Sequence, residues 1–148
     1  MNLIKKFEGV RGFNKLTQKH TLTKDLCGAT SIGYGHLILP GENFSNGLTE
    51  QQAFQLLAKD ARIAENAVRN NVKVPITQYQ FDALVSLTYN IGVGAFKNSK
   101  ILALINIGNL RALENTWKSS YITSAGVKYQ GLVNRRKKEY NLFKSGSY

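Results

Sequence analysis

A chain of 148 residues with 43% hydrophobic content is long enough to bury a real core, in one domain or in two lobes sharing one. One cysteine, Cys27, excludes an internal disulfide framework and a cysteine-based zinc site, and the two histidines, His20 and His36, form no metal-ligand spacing on a helix. The net charge of +11, from 20 Lys and Arg against 9 acids, implies an anionic partner without choosing between nucleic acid, a membrane surface and an acidic polymer. No window approaches the ~20 apolar residues of a membrane span, and the start Met1 to Glu8 has no apolar run suited to a signal peptide. A soluble protein made and held in the cytoplasm is the expectation.

In chain order, the first segment reads as a short amphipathic helix capped by Asn2, with Leu3, Ile4, Phe7 and Val10 on one side and Gly9 and Gly12 ending it. Glu8 stands in its last turn, where the helix dipole disfavours a negative charge. Residues 13–24 are polar and weakly patterned, which suits an extended hairpin or loop; His20 has no visible partner there and reads as a surface residue. Leu37 to Gly41 leaves a small sheet, and a β lobe ends near residue 47. Thr49 and Gln52 form a capping box that opens a long helix, with Ala53, Leu57, Ala61, Ala64 and Val68 at helical spacing and Asp60 near its middle. A second box, Thr77 with Gln80, opens another helix, with Phe81, Leu84, Val85 and Thr88 inward and Gly92 at its end. Residues 93–98 read as a glycine-containing link. Ser99 to Ile107 reads as a short apolar helix, and Asn109 caps one running to about Ser119 with Leu110, Leu113 and Trp117 on a stripe. A final helix, about Leu132 to Lys144, carries Leu132, Val133, Tyr140 and Phe143 on one side and the run Arg135-Arg136-Lys137-Lys138, a solvated face, around the other. There is no internal repeat or low-complexity tract.

Glu8 and Asp25 are the only acids in the first 41 residues. They flank the start of the glycine hairpin, and the chain turns on the stretch Asp25 to His36. A turn centred on Gly28 would bring Asp25 opposite Ser31 across a hairpin, with room for a held water. Beyond it, alternation puts Ser31, Gly33 and Gly35 on one bare face of a strand and Ile32, Tyr34 and His36 on the other. A Gly-rich hairpin with a polar pair at its mouth accounts for this stretch as well as a site does. With Glu8 added, the set fits an inverting glycosidase: an acid for the leaving oxygen, and a base that activates water from the opposite face, the carboxyls roughly 6.5 to 9.5 Å apart.

Lys6-Phe7-Glu8-Gly9, then Asp25, Gly28 and Ser31-Ile32-Gly33-Tyr34-Gly35-His36, resembles the signature of the phage-type lysozymes, glycoside hydrolase family 24. That signature has a Glu, an Asp and a Thr opening the motif T-I-G-Y-G-H. The likeness continues through Leu48 to Ala53, Leu56 to Asp60, Val74 to Ser86, Asn90 to Gly92, Gly94 to Phe96, Gly131 to Arg136 and Glu139. The resemblance implies an α+β, lysozyme-like fold: a single domain over 1–148, with a small N-terminal β lobe (about 11–48), a linking helix (about 49–71) and a larger α-helical lobe (about 72–148) packed with the N-terminal helix. It implies a muramidase that hydrolyses the β-1,4 bond between N-acetylmuramic acid and N-acetylglucosamine in peptidoglycan, with no cofactor or metal. Glu8 would be the general acid, Asp25 would position and activate water, and Ser31, matching the family threonine, would hold that water. Gly33 and Gly35 would lie along the sugar chain. Arg135 matches an arginine that pairs with the catalytic glutamate, and His36 and Asp60 match an ion pair joining the β lobe to the long helix.

Three departures stand out. Ser31 keeps the threonine hydroxyl but loses the methyl that fixes its rotamer, and Thr23 replaces the tyrosine usual just before the aspartate. The Glu8 to Asp25 spacing is also longer than the family's, which predicts an enlarged hairpin or loop over 13–24. A catalytically weak peptidoglycan-binding module is the strongest alternative. A lytic transglycosylase would need only the glutamate, and nucleic-acid binding rests on charge alone, with no zinc spacing, stacking motif or recognition helix. The positive surface suits attraction to an anionic cell envelope, and a monomer is the expected state.

Overall fold

The structure, a computed structural model, describes residues 2–9, 12–24 and 28–147. Asp25, and with it the expected carboxylate of the hairpin, lies outside the described residues, as do Val10, Cys27 and the side chain of Asn2. The chain forms two compact units, residues 1–61 and 62–148, and the boundary falls inside the long helix.

The first unit opens with helix α1 (Asn2–Glu8), which stops at Gly9, a residue with φ of 63° that suits glycine. Two small antiparallel sheets follow. Strands β1 (Phe13–Asn14), β2 (Lys19–His20) and β6 (Leu48–Thr49) make one, with His20 paired to both Phe13 and Leu48. Strands β3 (Thr23–Lys24), β4 (Thr30–Ile32) and β5 (His36–Leu37) make the other. Residues 13–24, expected to be extended or looped, thus supply three short strands to two different sheets.

Helix α2 (Glu50–Asn71) grows directly out of β6, because Thr49 is both the last strand residue and the cap. Its hydroxyl accepts from the Gln52 N–H at 3.2 Å, and the Gln52 side chain accepts from the Thr49 N–H at 2.9 Å. The stripe Ala53, Leu57, Ala61, Ala64 and Val68 is buried along its whole length.

The second unit continues through helix α3 (Gln78–Ile91), opened by the Thr77–Gln80 box. Ala83 to Thr88 are all buried, so the middle of this helix is enclosed on every side, while its two ends stay partly exposed. Residues 93–97 form a one-turn helix, α4 (Val93–Lys97), rather than a bare link, since Gly92 at φ 88° ends α3 and the next turn can start at once. Helix α5 (Lys100–Asn106) is capped by the Ser99 hydroxyl and α6 (Leu110–Ser119) by the Asn109 side-chain Oδ1, which accepts from the Ala112 N–H. Leu113 and Trp117 are buried, whereas Leu110, in the first turn of α6, is exposed. A hairpin, β7 (Thr123–Ser124) and β8 (Val127–Lys128), turns through Ala125 and Gly126, both at positive φ as a two-residue turn requires. Helix α7 (Gln130–Ser145) then packs against α3 and α6 and ends at Gly146 in the left-handed conformation.

Candidate active site

Glu8 ends α1, and Gly35 lies against its carboxylate. A Cβ built on Gly35 would stand 3.1 Å from Glu8 Oε2, and Gly35 has φ of 92°, so any side chain there would be both strained and pressed on the carboxylate. The glycine ladder expected as a bare strand face is a turn instead. Strand β4 ends at Ile32, which pairs with His36, and Gly33-Tyr34-Gly35 form the three-residue connection. Two positive φ values, 64° at Gly33 and 92° at Gly35, break the alternation that the sequence pattern suggests. Gly33 is buried, with a built Cβ only 3.3 Å from the Ala53 Cβ of α2, so its smallness serves packing. Gly35 is the exposed one.

Tyr34, at the tip of that turn, points inward and is 2% exposed. Its hydroxyl donates to Glu50 Oε1 at the start of α2. Glu50 also takes Lys5 Nζ from α1 at 3.0 Å and pairs with His20 Nε2 at 2.7 Å. The carboxyl of Glu50 is held down to about 2, chiefly by the Tyr34 hydroxyl, then by His20 and Lys5. One carboxylate thus ties the helix bearing Glu8, the turn bearing Gly35 and strand β2 together. His20, expected on the surface, is fully buried, with its ring edge-on to Phe13 at 5.1 Å and tilted on Tyr34 at 5.5 Å. Its partner lies 30 residues away, which local pattern cannot reveal.

His36 Nδ1 is 2.7 Å from Asp60 Oδ2 on α2, and its Nε2 is 2.8 Å from Glu42 Oε2. Glu42 also accepts from the Leu39 N–H. Burial opposes the charge on His36, but the carboxylates of Glu42 and Asp60 outweigh it and raise the imidazole above its usual range. Among the described residues no group of three or more His, Cys, Asp and Glu is placed to hold a metal ion.

The register of the second sheet puts Thr23, not Asp25, opposite Ser31, with Lys24 opposite Thr30. The Thr23 and Ser31 hydroxyls are 3.2 Å apart.

In the second unit Arg135 and Arg136 are buried, not a solvated face; Lys137 and Lys138 are exposed. The reason is Glu139, itself fully buried. Its Oε1 accepts from Arg135 Nε at 3.0 Å, Arg136 Nη2 at 3.0 Å and Ser86 Oγ at 2.8 Å, while Arg136 Nε lies 2.8 Å from Oε2. Arg135 Nη2 also donates to the Ser86 carbonyl at 3.0 Å, and Arg136 Nη2 to Asn90 Oδ1 at 2.8 Å. The signal was in the spacing. Arg136 and Glu139 fall three and four residues from Leu132, Val133, Tyr140 and Phe143, on the same stripe.

Small antiparallel sheets followed by a set of helices make this an α+β chain, and its fold matches that of solved lysozyme-like structures. The chain resembles the solved endolysin from Escherichia coli O157:H7 phage FAHEc1, with TM-score 0.81 and 34% identity over 99% of this chain and 91% of that one. It is similar too to the muramidase domain of SpmX from Asticaccaulis excentricus, with TM-score 0.78 and 32% identity over 96% and 92% of the two chains. Residues 5–139 match the Phage lysozyme family, and the chain belongs to it. An endolysin of Bacillus phage PZA is 40% identical over 99% of this chain but only 54% of its own length, so the chain spans about half of that relative. No helix among the described residues is long and apolar enough to cross a membrane.

Proposed function

We propose that the chain is a muramidase of the endolysin type, hydrolysing the β-1,4 bond between N-acetylmuramic acid and N-acetylglucosamine in peptidoglycan. The observation that carries the reading is the Glu8 carboxylate set against Gly35, at the turn that bears the family motif, in a chain matching that family over residues 5–139. The names of the similar endolysins and of the muramidase domain support the same chemistry.

In this reading Glu8 protonates the leaving glycosidic oxygen. Gly35, having no side chain, leaves the sugar free to reach the carboxyl. Asp25 activates a water from the opposite face, as an inverting mechanism requires, and the Ser31 hydroxyl holds that water. By the resemblance, Arg135 is the arginine assigned to pair with the catalytic glutamate. The His36–Asp60 pair fixes the strand that follows the turn to α2, 2.7 Å apart, and so keeps Gly35 in place. The working state is a monomer, and the charge of +11 draws it to the anionic envelope, an attraction that added salt weakens.

The test is clearing of purified peptidoglycan by the native chain beside Glu8→Gln, with mass analysis of the released sugars. Reducing-end muramic acid products that fall at least a hundredfold with Glu8→Gln, on the order expected for loss of a general acid, are the expected result. Anhydro products would make it a transglycosylase instead. Wall binding with no release in the native chain would make it a binding module.

A further inference from the structure

The two positions where the motif region departs from the phage-type pattern, Thr23 and Ser31, stand directly opposite each other in the β3–β4 ladder. Thr23 Oγ1 lies 3.2 Å from Ser31 Oγ and 3.4 Å from the Ser31 carbonyl oxygen, so one hydroxyl grips both the side chain and the backbone of its partner. Thr23 is itself held. A Cβ built on Gly12 would fall 2.6 Å from the Thr23 Cγ2 methyl, so the methyl occupies the space that glycine leaves. Gly12, at φ 67°, is fixed in turn by its carbonyl, which accepts from the Thr21 N–H at 2.7 Å and the Thr21 hydroxyl at 2.8 Å. With its methyl seated on Gly12, β-branched Thr23 has one χ1 well that also aims its hydroxyl at Ser31.

We propose that Thr23 is a positioning residue that sets the rotamer of Ser31, supplying from across the sheet the restraint a threonine at position 31 would carry in its own methyl. Serine is the side chain that needs such help, because nothing on its own Cβ selects among three staggered wells. A hydroxyl offers one donor and two acceptor sites, so Ser31 keeps hydrogen-bonding capacity for a water after its bond to Thr23 is made. Cross-strand Thr–Ser pairs commonly stabilise a sheet; here the pair also points one hydroxyl. The inference rests on the muramidase reading, through the role of Ser31 as the water holder.

The experiment is a cycle of Thr23→Val, which keeps the shape and removes the hydroxyl, in the native chain and in Ser31→Thr, with Thr23→Ser as the conservative variant. In the native background Thr23→Val lowers kcat roughly five- to tenfold, the scale of one hydrogen bond, with little change in KM. The same substitution in Ser31→Thr, compared with Ser31→Thr alone, changes kcat less than twofold, and Thr23→Ser, which keeps the hydroxyl but loses the methyl seated on Gly12, falls between the native chain and Thr23→Val. Side-chain scalar couplings of Ser31 measured by NMR show one rotamer in the native chain and averaging in Thr23→Val. An equal loss in both backgrounds, an unchanged kcat, or averaged Ser31 couplings in the native chain would each overturn the proposal. Glu8→Gln runs alongside: a native chain no more active than it would sink the muramidase reading, while the couplings still decide whether Thr23 orients Ser31.

Discussion

Each unit has a glutamate on which several polar contacts converge, Glu50 in the first and Glu139 in the second, and the two differ in how they are kept. Glu50 collects Lys5, His20 and Tyr34 with half of its side chain still exposed. Glu139 collects Arg135, Arg136 and Ser86 with none of it exposed. In the second unit the charges are sealed away from solvent by the helices around them. In the first unit the contacts that hold Glu8 and the Gly33–Gly35 turn are partly wet and include two histidines. The side that carries the candidate chemistry is therefore the one whose fastening depends on pH and salt.

The largest effect should come from the sealed side. Glu139→Ala leaves two buried guanidinium groups without their shared counter-charge, and removing one partner of a buried pair costs about 3–5 kcal/mol. A denaturant titration should find the chain destabilised by that amount. A cost no larger than that of Glu50→Gln would erase the distinction between the two hubs. Next comes His36, 7% exposed between Glu42 and Asp60. His36→Gln should lose about 2 kcal/mol at pH 6, where charged hydrogen bonds of this kind contribute ~1.5–3 kcal/mol. Because the folded imidazole is raised above its usual 6.5, its stabilisation is complete below pH 6.5 and fades as pH climbs through the folded value. The gap between native and variant should shrink on going alkaline; a gap that widens would contradict the ion triad.

The same contrast explains what could be read without coordinates. Helix starts are local chemistry: the boxes at Thr49 and Thr77 and the caps at Ser99 and Asn109 each need only three residues of sequence. The glycine turn was masked by its own pattern, since Gly-x-Gly mimics strand alternation while a positive φ leaves no trace in composition. Arg135 and Arg136 look solvated because charge usually is, although their helical phase places Arg136 on the apolar stripe. Of the candidate site, Glu8 and the motif were legible. The facing of Thr23 and Ser31 was not, because register depends on how the intervening turn closes, and a shift of two places changes which hydroxyl meets which.

The smallest effect, and the most diagnostic of the wet hub, belongs to Glu50→Gln. His20 is fully buried and its Nδ1 has no partner among the described residues, so the bond from Nε2 to Glu50 carries its polar satisfaction. Weakening that bond should cost about 1 kcal/mol, less than a buried charged hydrogen bond because the carboxylate is half in water. The sign with pH is opposite to that of His36. The Glu50 carboxyl falls from 4.5 to about 2 on folding, so its contribution is full above pH 4.5 and disappears as pH drops through 2. Native chain and variant should therefore converge in stability in acid, and raising the salt concentration should bring them closer at every pH. A gap that persists unchanged into acid would mean that the ionisation of Glu50 does not govern this hub.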